Sequence, residues 1–533
     1  MSTASAATDI PDRLYYGEIL FESLRGHHFD ALKKFQLYFP DNGDIKYNGS
    51  GTLSVIELQL AFGLSQSAEK NITVKPHNIQ QRQLHNHDIY RLAKFYYKKQ
   101  QPVAAIQTLE MVALDAATDT TKNNSDIQRL KALAYIQVGK FNNAVKILQN
   151  LTDKNTAEYT QYNLGIAQLQ SGDTEKGLLT LEELGQVTTS NIVQLALKDK
   201  ANLQLGQYYL RAGKARLANK YFNLVRIESP YTGQALLGSG WASFSLGQPE
   251  RAVVPWTLLH ENKTLNASVI EAKMALPYAY AKLGTHGKAA NLYGHAIELF
   301  EKELIRLDAA MDDIGKGKLT QHILNNFTRQ DKDWFTDLIH GTEREEKNDL
   351  ILLFSTDQFQ QAAETLHELA LLKNHIEQAQ TQVTAYKELI SLKKKHYSVK
   401  IPEAEKELLK IHQQINRLLK LQHDLTGETN KQQNADVEIA QLKQDYENHL
   451  LIRKAVAKHL RQLPERRLQL TRIEKKLTPL NNKLISLISL SAKQLESVAI
   501  EVLKQKHRQL KSYHDSALFS LAESYELATR EQQ

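Results

Sequence analysis

Five times between Gly139 and Ala296 the chain repeats one spacing: a glycine, a small residue five positions later, and a bulky apolar residue four further on. The sets are Gly139/Ala144/Leu148, Gly172/Gly177/Leu181, Gly213/Ala218/Phe222, Gly247/Ala252/Trp256 and Gly284/Ala289/Tyr293. Seven residues before each glycine stands Ala132, Gly165, Gly206, Gly240 or Pro277. Each unit therefore reads as helix, tight turn, helix, with small residues where the two helices cross closely. The glycines recur every 33 to 41 residues, and a period of that size marks a stacked helical solenoid, in which a unit buries its apolar face only against its neighbours.

Composition agrees with an all-α chain. Its 533 residues include only 11 prolines and 24 glycines, and no sustained Val/Ile/Thr alternation argues for a sheet. With no cysteine, disulfides, thiolate metal sites and Cys nucleophiles are excluded. No apolar run approaches the length a spanning helix needs. Ala4-Ser5-Ala6 matches the small-residue end of a secretory signal, although the basic and apolar segments that precede such an end are missing. The reading leans to an exported, periplasmic chain, with the cytoplasm as the alternative.

The fullest unit, Leu205-Gly206, Tyr209, Gly213, Ala218, Phe222, Val225 and Pro230, resembles the tetratricopeptide repeat. An earlier unit, Ile89-Leu92-Ala93-Tyr96 with Ala105 and Leu109, lacks the turn glycine, and a first one is Gly26/Ala31/Phe35. This gives six to seven repeats between residues 13 and 300. The resemblance implies a protein-binding groove, and in members that grip a C-terminal carboxylate, basic and Asn side chains from three successive first helices converge there. Arg129, Asn163 and Lys200 fall on the matching turns, whereas Leu133 and Gln204 depart from the pattern. Tyr96, Tyr135, Tyr209, Phe222, Trp256, Tyr280 and Tyr293 are expected in the core, and some of Tyr90, Tyr97, Tyr208 and Trp241 are expected to line the groove.

The expected organisation is a tail at 1–12, a superhelix at 13–310, a junction at 311–357, long helices at 358–512, and a last helix at 513–533 that packs back as a cap. Polar loops are expected at Pro40 to Gly51, Ser65 to Gln83 and Asp115 to Asn124. From Gln358 the apolar residues alternate in steps of three and four: Leu408, Ile411, Ile415, Leu418 and Leu425, then Leu470, Ile473, Leu477, Leu480, Leu484 and Leu487. That average of 3.5 keeps a stripe against a partner helix. Breaks at Val399 to Pro402, around Gly427 and at Pro464 predict about four helices forming an antiparallel hairpin or bundle.

Motifs for chemistry are missing. Gly315-Lys316-Gly317-Lys318 lacks the glycine spacing of a phosphate loop. His27-His28 with Asp30, and His85, His87 and Asp88, lack the spacing that aims two imidazoles at one metal. No cofactor, metal or catalytic residue is expected, and the chain is read as non-enzymatic. One charge feature stands out: residues 453 to 511 hold 15 Lys/Arg against 4 Asp/Glu, a net of 15 − 4 = +11 against +7 for the whole chain. Arg466, Arg467, Arg472, Lys475, Lys476, Lys504, Lys506, Arg508 and Lys511 form a basic arm for an acidic partner, or a solvated face.

The expected function is a scaffold that docks partner proteins in the groove and on the arm; by the resemblance, such proteins serve bacterial envelope, secretion or energy-transducing assemblies. The alternatives are self-assembly through the long helices and nucleic-acid binding through the arm, the latter without the aromatic interleaving it would need.

Overall fold

The computed structural model describes residues 9–38, 55–72, 79–112, 122–151, 157–262, 265–326, 344–424 and 429–531, and these hold helices and no strand. The expected signal end at residues 4–6, the loops at Pro40 to Gly51 and 115–121, and the break at Gly427 lie outside the described residues. Eight helix pairs come first: α1 and α2 (Asp9–Leu24, His28–Tyr38), α3 and α4 (Val55–Ala61, Ser65–Ile72), α5 and α6 (Ile79–Lys98, Pro102–Leu109), and α7 and α8 (Lys122–Gln137, Phe141–Leu148). Then follow α9 and α10 (Ala157–Ser171, Thr174–Gln186), α11 and α12 (Ile192–Arg211, Ala215–Phe222), α13 and α14 (Thr232–Ser245, Pro249–His260), and α15 and α16 (Ala267–Lys282, His286–Gly315). The remaining helices are α17 (Lys318–Asn326), α18 (Arg344–Phe354), α19 (Asp357–Asp424) and α20 (Thr429–Glu531).

The turn column explains the pairs. Gly26, Gly63, Gly139, Gly172, Gly213, Gly247 and Gly284 all have φ between 71° and 94°, the left-handed conformation that ends a helix without a Cβ penalty. At Gly139 the closure is a Schellman motif, with Gly139 N donating to Ile136 O at 3.0 Å and Lys140 N to Tyr135 O at 2.8 Å. The third pair makes the same turn without glycine: Gln100 stands at φ 55°, and Gln101 N donates to Tyr96 O at 2.9 Å. A left-handed non-glycine residue costs roughly 1–2 kcal/mol. Replacing Gln100 with Gly is therefore expected to stabilise the chain by about 1 kcal/mol, read as a higher denaturant midpoint.

Two expectations are corrected here. Ser65 to Gln83 is not one polar loop, because Ser65–Ile72 is a helix and Ile79 begins another. Gly63, Ala68 and Ile72 carry the column spacing, with Ala68 and Ile72 buried; two apolar positions in an eight-residue helix were too few to show against its polar residues. The repeats thus number eight among the described residues.

The prolines also fail to break the long helices. α19 runs through Pro402, and α20 through Pro464 and Pro479. An interior proline forfeits one backbone bond and costs about 3 kcal/mol. All three are exposed, so water can serve the carbonyls they release, while packing along the opposite face holds each helix together.

In three repeats the crossing column works as a fixed pair, the glycine meeting the bulky residue 16 positions later. A Cβ built on Gly165 would lie 2.8 Å from Leu181 Cγ, on Gly206 2.6 Å from Phe222 Cδ1, and on Gly240 2.1 Å from Trp256 Nε1. Leu181, Phe222 and Trp256 are buried, so these contacts set how closely the helices of a pair approach. Fully buried Asp199 accepts from Arg226 Nε at 2.9 Å and Nη2 at 2.7 Å, tying α11 to the segment after α12.

The chain forms two compact units. One holds α1–α16, α17 to His322, α18, the start of α19 to Gln361, and α20 from Glu496; the other holds the end of α17 from Ile323 and Ala362–Leu495. In the first, α20 buries Ala499, Leu503, Leu510 and Ala517, and Ala517 packs with Ala289, Tyr293 and Ile297 of α16. The helix passes through 512 and 513 without interruption. In the second, α19 and α20 run antiparallel. Lys387 pairs with Glu474, Glu405 with Arg453 at 2.5 Å, and the His412 ring with Tyr446 at 5.8 Å, pairs whose residue numbers sum to a nearly constant value as a hairpin requires.

Candidate binding surfaces

Each second helix packs on the first helix of its own pair and of the next, while the first helices from α3 to α15 also pack successively on one another. That extra packing puts the first helices on the inner side of the stack, where repeats crowd. Their side chains reach from repeat to repeat. Gln194 Nε2 of α11 donates to Glu158 Oε1 of α9 at 2.7 Å, and Trp241 Nε1 of α13 donates to Glu271 Oε1 of α15 at 2.7 Å.

The matched clamp residues lie on α7, α9 and α11, and each is engaged within the chain. Arg129 bonds Asp126 one turn away, Asn163 Nδ2 donates to Tyr159 O of its own helix at 2.9 Å, and Lys200 Nζ stands 4.7 Å from the centre of the Tyr162 ring. Burial, with a smaller effect from Tyr231, pushes the Tyr162 hydroxyl up to about 12, so it remains a neutral donor. Tyr231, just before α13, is raised by burial and then by the charges of Asp199 and Tyr159. Tyr159 is exposed. Lys200 of α11 thus stacks on Tyr162 of α9, with exposed Tyr159 three residues before Tyr162 on the same helix. The motif match pointed to Lys200 but missed Tyr159 and Tyr162, whose three-residue spacing on one first helix is the signal a search for paired aromatics would have found.

Of the aromatics expected inside, Tyr96, Tyr135, Phe222, Trp256 and Tyr293 are buried, while Tyr209 and Tyr280 pack half-buried against core clusters. Trp241, one of the four groove candidates, bridges α13 to α15 and packs in a T-shaped pair with Trp256.

The basic arm divides between the units. Arg466, Arg467, Arg472, Lys475 and Lys476 are exposed on the hairpin unit, and none has a carboxylate partner among the described residues. Lys504, Lys506, Arg508 and Lys511 lie in the solenoid unit. There Arg508 pairs with Glu501 at 2.9 Å and Lys511 with Asp515 at 3.7 Å, and Lys504 is exposed.

Lys506 is committed elsewhere. It donates to Glu303 Oε1 at 2.8 Å, while Arg306 holds Glu303 with Nε at 2.8 Å and Asp349 with Nη1 at 2.6 Å and Nη2 at 2.9 Å. Two acids and two bases, all largely buried, fasten α16, α18 and α20 together. Charge counting alone placed Lys506 on the surface because its partners lie far away in sequence. No group of His, Asp or Glu suited to a metal occurs among the described residues, nor does any helix long and apolar enough to cross a membrane.

No family model and no curated protein matches the sequence. Solved structures do. One of MamA MSR-1 is 22% identical over 34% of this chain and 98% of that one, with a TM-score of 0.26. A tetratricopeptide repeat protein from Parabacteroides merdae is 14% identical over 51% of this chain and 92% of its own, with a TM-score of 0.31. The repeats of this chain have a tetratricopeptide-like fold. The statement rests on the repeats' own geometry: a helix pair, a left-handed turn, and small residues seated on the bulky residue of the second helix. A structure of Naa15/Naa10 bound to HypK-THB is 12% identical over 96% of this chain and 82% of that chain, with a TM-score of 0.32. The likeness is one of fold.

Proposed function

We propose that the chain is a non-enzymatic protein-interaction scaffold, holding partner proteins on the inner face of its tetratricopeptide-type repeats and on the basic hairpin helix. The observation that carries this reading is the contact of Lys200 with Tyr162 beside exposed Tyr159, which spans two stacked first helices. Stacked repeats supply extended surface instead of a closed pocket, and tyrosine with a neighbouring cation is suited to anchoring peptide at low entropic cost.

Capture experiments with the full-length chain test it. Partners held by the wild type are expected to be lost from a Tyr159→Ser/Lys200→Glu variant whose melting curve is unchanged. Equal capture by both would refute the inner-face reading. Truncation at residue 310 is a poorer test, because it cuts α16 and removes the α20 segment packed on it.

A further inference from the structure

In the hairpin unit, α19 covers only one of the two seam positions in each heptad of α20. Leu463 and Leu484 are 5% and 4% exposed, and Leu470 and Leu477, at the same seven-residue spacing, are half-buried. The companion positions Ile473, Leu480 and Leu487 are 46%, 52% and 39% exposed. At about 100° per residue, Arg472, Lys476 and Lys483 fall roughly 60–100° from Ile473 on the side away from the buried seam. All three are exposed. Glu474 is already taken by Lys387, which leaves Glu465 as the remaining acid between 463 and 487, against six Lys/Arg.

An apolar line at seven-residue spacing with one basic flank has a definite complement. We propose that the α20 face carrying Ile473, Leu480 and Leu487 receives an acidic amphipathic helix from a partner protein, completing a three-helix arrangement. The spacing demands a helix, since only a helix presents knobs at that repeat. The charge demands an acidic one: glutamates beside its apolar stripe would meet Arg472, Lys476 and Lys483. A second copy of this chain is disfavoured because it would set the same cations against one another. This inference rests on the scaffold reading and adds a partner class for the hairpin unit.

The test uses the full-length chain and a fluorescent synthetic helix of about four heptads with Leu at the two seam positions and Glu on both flanks. The expected result is saturable binding that salt weakens, with no binding of the same peptide carrying Lys for Glu. An Ile473→Ser/Leu480→Ser variant should bind at least about tenfold more weakly. Both positions are half exposed, so its melting curve should match the wild type. Lys476→Glu/Lys483→Glu should weaken binding without touching the apolar line. Unchanged affinity in either variant, or equal binding of the Lys peptide, overturns the proposal. So does binding to anionic phosphatidylserine vesicles that the acidic peptide fails to displace, which would assign the face to a membrane. Capture lost only from Tyr159→Ser/Lys200→Glu concerns the inner face, whereas peptide binding lost only from the α20 variants concerns this one, so each reading fails separately.

Discussion

Gly240→Ala is expected to destabilise the solenoid by about 2 kcal/mol, while Gly294→Ala, the same substitution in another helix, stabilises it by about 1 kcal/mol. Alanine gains roughly 1 kcal/mol over glycine inside a helix through backbone entropy. At Gly294 a new Cβ meets nothing within 4 Å, so that gain stands alone. At Gly240 the Cβ would lie 2.1 Å from Trp256 Nε1 and 2.4 Å from Cε2. The ring has nowhere to go: it is fully buried, its Nε1 donates to Leu237 O at 3.2 Å, and it packs against the Trp241 ring at 4.9 Å. Overpacking of this kind costs about 3 kcal/mol and outweighs the entropy gain. Denaturant midpoints of the two variants should move in opposite directions. Movement in the same direction would mean that the crossing column does not set the helix approach.

The second large effect belongs to the buried charge cluster. Arg306→Met should cost about 3–5 kcal/mol, because it leaves Glu303 and Asp349 buried with only Lys506 for compensation. The pH dependence has a definite sign. Burial is the largest influence on Glu303 and pushes its carboxyl up, but hydrogen bonds and charge from Arg306 and Lys506 together outweigh it and hold the group below the usual glutamate range. A carboxyl depressed in the folded state contributes stability that is present above its unfolded pKa of about 4.3 and is lost as pH falls through the lower folded value. In Arg306→Met much of that pull is gone, so the Glu303-linked loss of stability on acidification shrinks, and the gap in stability between variant and wild type should narrow as pH falls below about 4.3. A variant whose denaturant midpoint at neutral pH matches the wild type would show that the cluster fastens nothing.

How much of this was legible in the sequence follows from how local each signal is. The turn glycines were readable because a left-handed turn restricts residue choice at one position, and the small residues because they recur at a fixed offset from those turns. Gln100 escaped because it accepts the same backbone conformation at an energetic cost that no pattern records. The pair α3 and α4 escaped because Ala68 and Ile72 stand among polar neighbours. Pro402 and Pro464 argued for breaks on local grounds, and the long helices tolerate them because each proline faces solvent. Among site residues, Lys200 was accessible through its position in the repeat. Its contact with Tyr162 depends on the stacking of α11 against α9, and the attachment of Lys506 to Glu303 depends on a return of the chain from some 200 residues away, 506 − 303 = 203.

Site-specific photocrosslinking tests the scaffold reading most directly. A photoreactive amino acid is placed at Tyr159 on a first helix, or at Val254 on the second helix α14, in the full-length chain in its native cells. Both side chains are exposed, at 46% and 64%. Defined protein adducts are expected at 159 and not at 254; adducts at 254 alone, or at neither position, would contradict the assignment of the inner face as the surface that holds partners.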